Sequence, residues 1–233
     1  MKKQLSKEDQ DIVKEGKRDD FVFRLKSLNE LGWKEGYNLI HDFCYSDIKL
    51  GLDDIKEILS VENKEFIDLF LREYILFDEN DKKYLEIFIN ENLNNSDTEF
   101  VSDLIYFAND ISLNLEYLSV LEIITKFGAN ENYIVLASLN YISNNVKFYY
   151  FDKIVVSFEK VINSSDYFHS EQILASLFLY RITHRIEYLD FIAELVELEI
   201  GNLDFLTNLL LDECYQEKYF NLNEVKGKIP RII

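Results

Sequence analysis

Breakers of regular structure are scarce. The chain of 233 residues has one proline, Pro230, and seven glycines. An all-β domain needs a turn every eight to twelve residues, and so few breakers leave no material for it. Cysteine is scarce too. Cys44 and Cys214 are far apart and form no spaced framework, so a reducing compartment is expected rather than a disulfide scaffold. Long apolar runs are missing. The most apolar stretch, Ile173 to Tyr180, is far below the roughly 20 residues a membrane span requires. Charged residues are frequent from Met1 to Asp20, leaving no apolar signal core. A cytoplasmic chain that neither crosses nor binds a membrane is expected.

Positive charge is also in short supply. Forty-three acidic residues face 25 basic ones, a formal net charge of −18. Phosphate backbones are bound by Lys and Arg that displace counterions, so nucleic acid is excluded as a partner, and anionic membranes with it. Hydrophobic residues nevertheless make up 48%. That is enough for a core, so the acidity does not imply disorder.

Apolar residues recur every three or four positions nearly throughout, the period of a helix. Leu115, Leu118, Leu121 and Ile124 follow it, with Gly128 as a C-cap; Tyr188, Phe191, Ile192, Leu195 and Val196 follow it, with Gly201 beyond. Ser96 and Asp97 before Glu99, and Ser170 before Glu171, read as helix starts. Helices are predicted over 6–17, 19–31, 34–45, 52–60, 63–77, 80–93, 97–112, 114–127, 131–144, 151–164, 170–184, 186–199 and 203–216. The segment Val146 to Phe158 is rich in aromatic and β-branched residues and is compatible with a strand. No linker or low-complexity segment interrupts the chain, so one α-helical domain over 1–233 is expected.

Leu136-Ala137-Ser138-Leu139 recurs as Leu174-Ala175-Ser176-Leu177, 38 residues later, each time followed by a second helix; 97–112 with 114–127 forms a similar pair upstream. An alanine inside the first helix lets a neighbour approach closely. Over about 97–199 this pattern resembles the HEAT-like repeats of α-solenoids. The resemblance implies an all-α fold of stacked helical hairpins; an irregular helical bundle is the alternative. Some HEAT-like proteins are DNA glycosylases, but they require a basic groove, and the corresponding segments here are acidic. That activity, and enzymatic activity in general, is not expected.

Catalytic and cofactor motifs are lacking: there is no Gly-x-Ser-x-Gly elbow, phosphate loop or Gly-x-Gly-x-x-Gly. His41 and Cys44 would share a helix face, but two ligands do not make a metal site. His184 and Arg185 suit a helix C-terminus. Cys214 follows Asp212 and Glu213, whose charges disfavour a thiolate. No cofactor is expected.

Charge is segregated. Tyr84 to Thr125 holds eight carboxylates and no Lys or Arg, and Ile186 to Glu217 holds nine and none. Glu187, Asp190, Glu194 and Glu197 step by three, four and three residues and form one acidic stripe. Like charges at that spacing cost a helix a few tenths of a kcal/mol. Together with Asp103 and Asp110 they point to a basic protein partner. The run Phe148-Tyr149-Tyr150-Phe151 cannot face one core as a helix, so Tyr149 and Tyr150 are candidate contact residues. Small, acidic, helical and motif-free, the chain resembles bacterial toxin-immunity proteins in general character. That resemblance implies binding and neutralising a basic, nuclease-type toxin domain; a HEAT-like scaffold or adaptor is the alternative.

Overall fold

The computed structural model describes residues 7–25, 31–127 and 131–198. They form eleven α-helices and no strand. In order these are α1 (Lys7–Leu25), α2 (Trp33–Cys44), α3 (Leu52–Leu59), α4 (Lys64–Glu73), α5 (Glu79–Asn92), α6 (Thr98–Asp110), α7 (Tyr117–Lys126), α8 (Asn132–Asn144), α9 (Phe151–Asn163), α10 (His169–Thr183) and α11 (Glu187–Leu198). The doubtful segment after Val146 is helical: a short 3-10 turn over Phe148–Tyr150 runs into α9. The two helices predicted over 6–17 and 19–31 are one, because nothing interrupts the turn through Arg18. The helix predicted over 203–216 and the caps at Gly128 and Gly201 lie outside the described residues.

The described residues fall into two compact units, drawn from Met1–Asn92 with Asp110–Leu113 and from Leu93–Asn109 with Asn114–Ile233. In the first, α2 packs along α4, and α3 packs on α1, α4 and α5. Gly36 decides the α2–α4 contact, because a methyl group there would overlap the Phe66 ring. Phe21 of α1 stacks on Phe43 of α2 with centroids 3.7 Å apart. Arg18 Nε donates to Asp54 Oδ2 at 2.8 Å, and the same carboxylate accepts the Gly51 N–H at the start of α3. Burial opposes the charge on Asp54, but these two donors outweigh it and hold its pKa below the ordinary carboxylate value.

In the second unit α7 pairs with α8, α9 with α10, and α10 with α11; α7 also packs on α9, and α8 on α10. Every residue from Glu171 to Tyr180 is buried. This explains the apolar run at Ile173 to Tyr180: a helix hydrophobic all round is one enclosed on all sides, here by α8, α9 and α11. Ala137 and Ala175 are fully buried, as small residues between packed helices should be. One of the two helix starts read from capping residues differs from expectation. Helix α10 begins after Phe168, not Ser170, because the Glu171 carboxylate reaches back to accept the Phe168 N–H at 2.8 Å. Asp97 does cap α6, accepting the Phe100 N–H at 3.1 Å.

The same device enters α3 and α7. A residue with left-handed φ, Asp47 at 55° or Ser112 at 60°, turns the chain. A buried aliphatic follows (Ile48, Leu113), then an exposed residue, then a buried leucine (Leu50, Leu115), then the helix N-cap (Gly51, Glu116). The N–H of that leucine has no helical acceptor. In each case a tyrosine hydroxyl supplies one: Leu50 N–H donates to Tyr74 Oη at 2.8 Å, and Leu115 N–H to Tyr141 Oη at 2.7 Å, both buried. This pins both boundaries. Leu115 precedes α7 rather than lying on its apolar face, and α4 stops at Glu73 because Tyr74 turns extended.

Tyr74→Phe and Tyr141→Phe each leave a buried amide unpaired and should each destabilise the chain by about 1–3 kcal/mol in urea denaturation. Ala175→Leu should cost about 1–3 kcal/mol by overpacking. An unchanged unfolding midpoint for Ala175→Leu would remove α10 from its close-packed place.

Candidate functional site

The acidic stripe lies on α11. Tyr188, Leu189, Ile192 and Leu195 are buried, which turns Glu187, Asp190 and Glu194 to solvent. Glu197 is in the same helix, but its side chain lies outside the described residues. Asp103 and Asp110 stand on α6, the first half-buried and the second exposed, and not on the α11 face.

The stripe does not begin as bare negative charge. Arg185, two residues before Glu187, donates from Nε to Glu187 Oε1 at 2.5 Å, and its Nη1 lies 3.4 Å from Glu159 Oε1 on α9. Tyr188 Oη donates to Glu159 Oε1 at 2.8 Å, and the Arg185 guanidinium lies over the Tyr188 ring at 5.2 Å. One arginine thus bridges two carboxylates at the N-terminal end of α11. The Glu187 carboxyl is held below its ordinary pKa by its own backbone N–H and by Arg185, against desolvation and, to a smaller extent, the charge of Asp190. Sequence spacing brought out Glu187 and Asp190 but not Arg185 or Glu159. The arginine falls one residue outside the cation-free run, and Glu159 meets it only through the α9–α10–α11 packing.

The aromatic run divides into two roles. Phe148 and Tyr149 are 69% and 74% exposed. Tyr150 is half-buried and stacks on Tyr117 of α7, with centroids 5.4 Å apart and an interplanar angle of 14°. The Lys147 N–H points to Tyr117 Oη at 3.4 Å. Tyr150 therefore holds the turn, while Phe148 and Tyr149 face solvent, the Tyr149 ring lying against Tyr150 with centroids 4.3 Å apart. Beside them a groove of about 290 Å³ runs between α7 and α9, with Leu118, Leu121 and the exposed Val156 as its apolar lining and Glu122, Asp152 and Lys153 as its charged lining.

Burial, with the charge of Glu73 added, pushes the Cys44 thiol up to about 12, far from a reactive thiolate. The ring neighbours of His41 are Tyr37 and Tyr45. Among the described residues no group of three or more His, Cys, Asp or Glu side chains is placed to hold a metal. No helix among them is long and apolar enough to cross a membrane. Cys214 lies outside the described residues. No family model, curated protein or solved structure matches the chain.

One carboxyl is displaced in the neutral direction. Glu171 is fully buried, its Oε2 accepts the Phe168 N–H and its Oε1 has no partner; burial raises it to about 7. The folded protein therefore holds this proton more tightly than the unfolded chain, and stability from this group falls as pH rises from about 4.5 to about 7. Glu171→Gln should remove that loss. Its stability advantage over the parent should be absent at pH 4.5 and reach about 1–3 kcal/mol by pH 8. Parallel curves for the two proteins would show that Glu171 stays ionised in the fold.

Proposed function

We propose that the chain is a non-enzymatic protein-binding module whose acidic α11 face captures a basic protein partner. Its concrete form is a bacterial immunity protein, acting in the cytoplasm, that neutralises a nuclease-type toxin domain. The observation that carries this reading is the set of exposed carboxylates at Glu187, Asp190 and Glu194 on one helix face whose other face is buried. A nuclease needs a basic cleft to hold phosphates, and a dense acidic face competes for that cleft and accelerates encounter. The exposed rings of Phe148 and Tyr149 add apolar contact area of the kind protein interfaces favour.

A second reading, a HEAT-like scaffold or adaptor, has its own support. Successive hairpins pack like on like, α7 against α9 and α8 against α10, and the Leu-Ala-Ser-Leu repeat falls on α8 and α10. The two readings are compatible, since a stacked-hairpin solenoid offers a continuous face of equivalent helices.

The test begins with the protein encoded beside this gene. A basic toxin-like neighbour should form a stoichiometric complex, with an association rate that falls steeply as salt rises. Exposed pairs contribute only about 0–1 kcal/mol each, so the stripe must be changed together. The variant Glu187→Lys, Asp190→Lys, Glu194→Lys, Glu197→Lys should keep its helicity and bind at least tenfold more weakly, about 1.4 kcal/mol. Equal binding by the folded variant at low salt would reduce the stripe to a solvated face and leave Phe148 and Tyr149 as the better contact surface.

A further inference from the structure

Helices α1 and α2 flank an open cavity of about 610 Å³, inside the range of roughly 300–1,000 Å³ that small-molecule sites occupy. Helical spacing builds its walls. Lys17, Asp20 and Arg24 step by three and four along α1, and Glu35, Asn38 and Asp42 step by three and four along α2, so each trio shares one helix face. The floor is apolar. Phe21, Leu39 and Phe43 line the cavity from buried positions, and the two phenylalanine rings are fixed by stacking on each other.

The charges around that floor are not spent on one another. Two cations and three carboxylates, all exposed, share the lining. Among the described residues no hydrogen bond or ion pair joins Lys17 or Arg24 to Asp20, Glu35 or Asp42. Arg18, next in the chain to Lys17, shows what a cation of α1 does with a carboxylate in reach: it pairs with Asp54 at 2.8 Å. Asp42 has its own neighbour in the His41 ring, 3.7 Å away and off the cavity lining. Opposite signs thus face one space without closing across it.

That arrangement selects the occupant. A phosphate would meet the three carboxylates, and an oligocation would meet Lys17 and Arg24. A molecule with one group of each sign satisfies both, and an apolar body between those groups covers the floor.

We propose that the α1–α2 cavity is a binding site for a small zwitterion with an apolar body, the chemistry shared by free hydrophobic amino acids and short peptides. Its carboxylate pairs with Arg24 and Lys17, the guanidinium fork matching two oxygens at once. Its ammonium pairs with Glu35 and Asp42, and its side chains lie on Phe21, Leu39 and Phe43. The site shares no residue with the α11 face, so either reading can fail alone.

The full-length protein is titrated by calorimetry at pH 7 and physiological ionic strength with L-phenylalanine and with L-leucyl-L-phenylalanine. At least one should saturate with a Kd of about 1 mM or tighter, and the tighter of the two tells a free amino acid from a short peptide. Acetylating its amine or amidating its carboxylate should each weaken binding at least tenfold, and glycylglycine, which lacks the apolar body, should not bind. Arg24→Gln and Glu35→Gln, both at exposed positions, should each weaken the zwitterion at least fivefold with helicity unchanged. The charge-reversed α11 variant should bind within twofold of the parent. Failure of both zwitterions to saturate, equal binding by either blocked form, undiminished binding by the two cavity variants, or a loss in the α11 variant as large as theirs would each overturn the assignment.

Discussion

A buried hydrogen bond from a loop amide to a tyrosine hydroxyl does more than any other contact to set where the helices of this chain begin and end. Leu50 and Leu115 must be inside, because each is the last apolar residue before a helix and closes the core beneath it. Their N–H groups go inside with them, and a buried amide without an acceptor costs about 1–3 kcal/mol. Tyr74 and Tyr141 resolve the conflict by bringing an aromatic ring and an oxygen to the same point. The ring fills core volume; the oxygen takes the one donor that no helix can satisfy. The left-handed residues at Asp47 and Ser112 are part of this arrangement, since they turn the chain so that the leucine points inward.

Much of the helical layout was legible because it rests on local periodicity. The apolar spacing in α2 to α11 places each element within a few residues, since burial of one face is the main force on an amphipathic helix. The ends were less legible because long-range contacts decide them. Nothing near Leu115 in the chain signals that Tyr141 will take its N–H, so the spacing Leu115, Leu118, Leu121 read as one continuous helix. The start of α10 was misplaced by the opposite error: Ser170 is a good cap in isolation, but Glu171 caps from inside the helix and moves the boundary to Phe168. Helix α1 read as two, whereas the backbone continues through Arg18.

The candidate surface was legible to a similar degree and for the same reason. Glu187, Asp190 and Glu194 share a helix face by spacing alone, and they do so in the fold. Tyr149 and Tyr150 looked alike as neighbours; packing separates them, one into solvent and one onto Tyr117. The Arg185–Glu159 contact needed three helices to be placed before it could exist. It also changes the physics of the stripe, since a cation shared between two carboxylates leaves the far end of the helix, at Glu194, more negative than its start.

The enclosure of α10 has a consequence for time as well as for energy. A helix with solvent on one side can fray or open while its neighbours stay in place. From Glu171 to Tyr180 there is no such side, so these amides become accessible to solvent only when α8, α9 or α11 separates from them. Their exchange with deuterated water therefore measures the separation of packed helices in the second unit rather than fraying of α10 by itself. The middle of α10 is the clock against which the lifetime of that packing can be read.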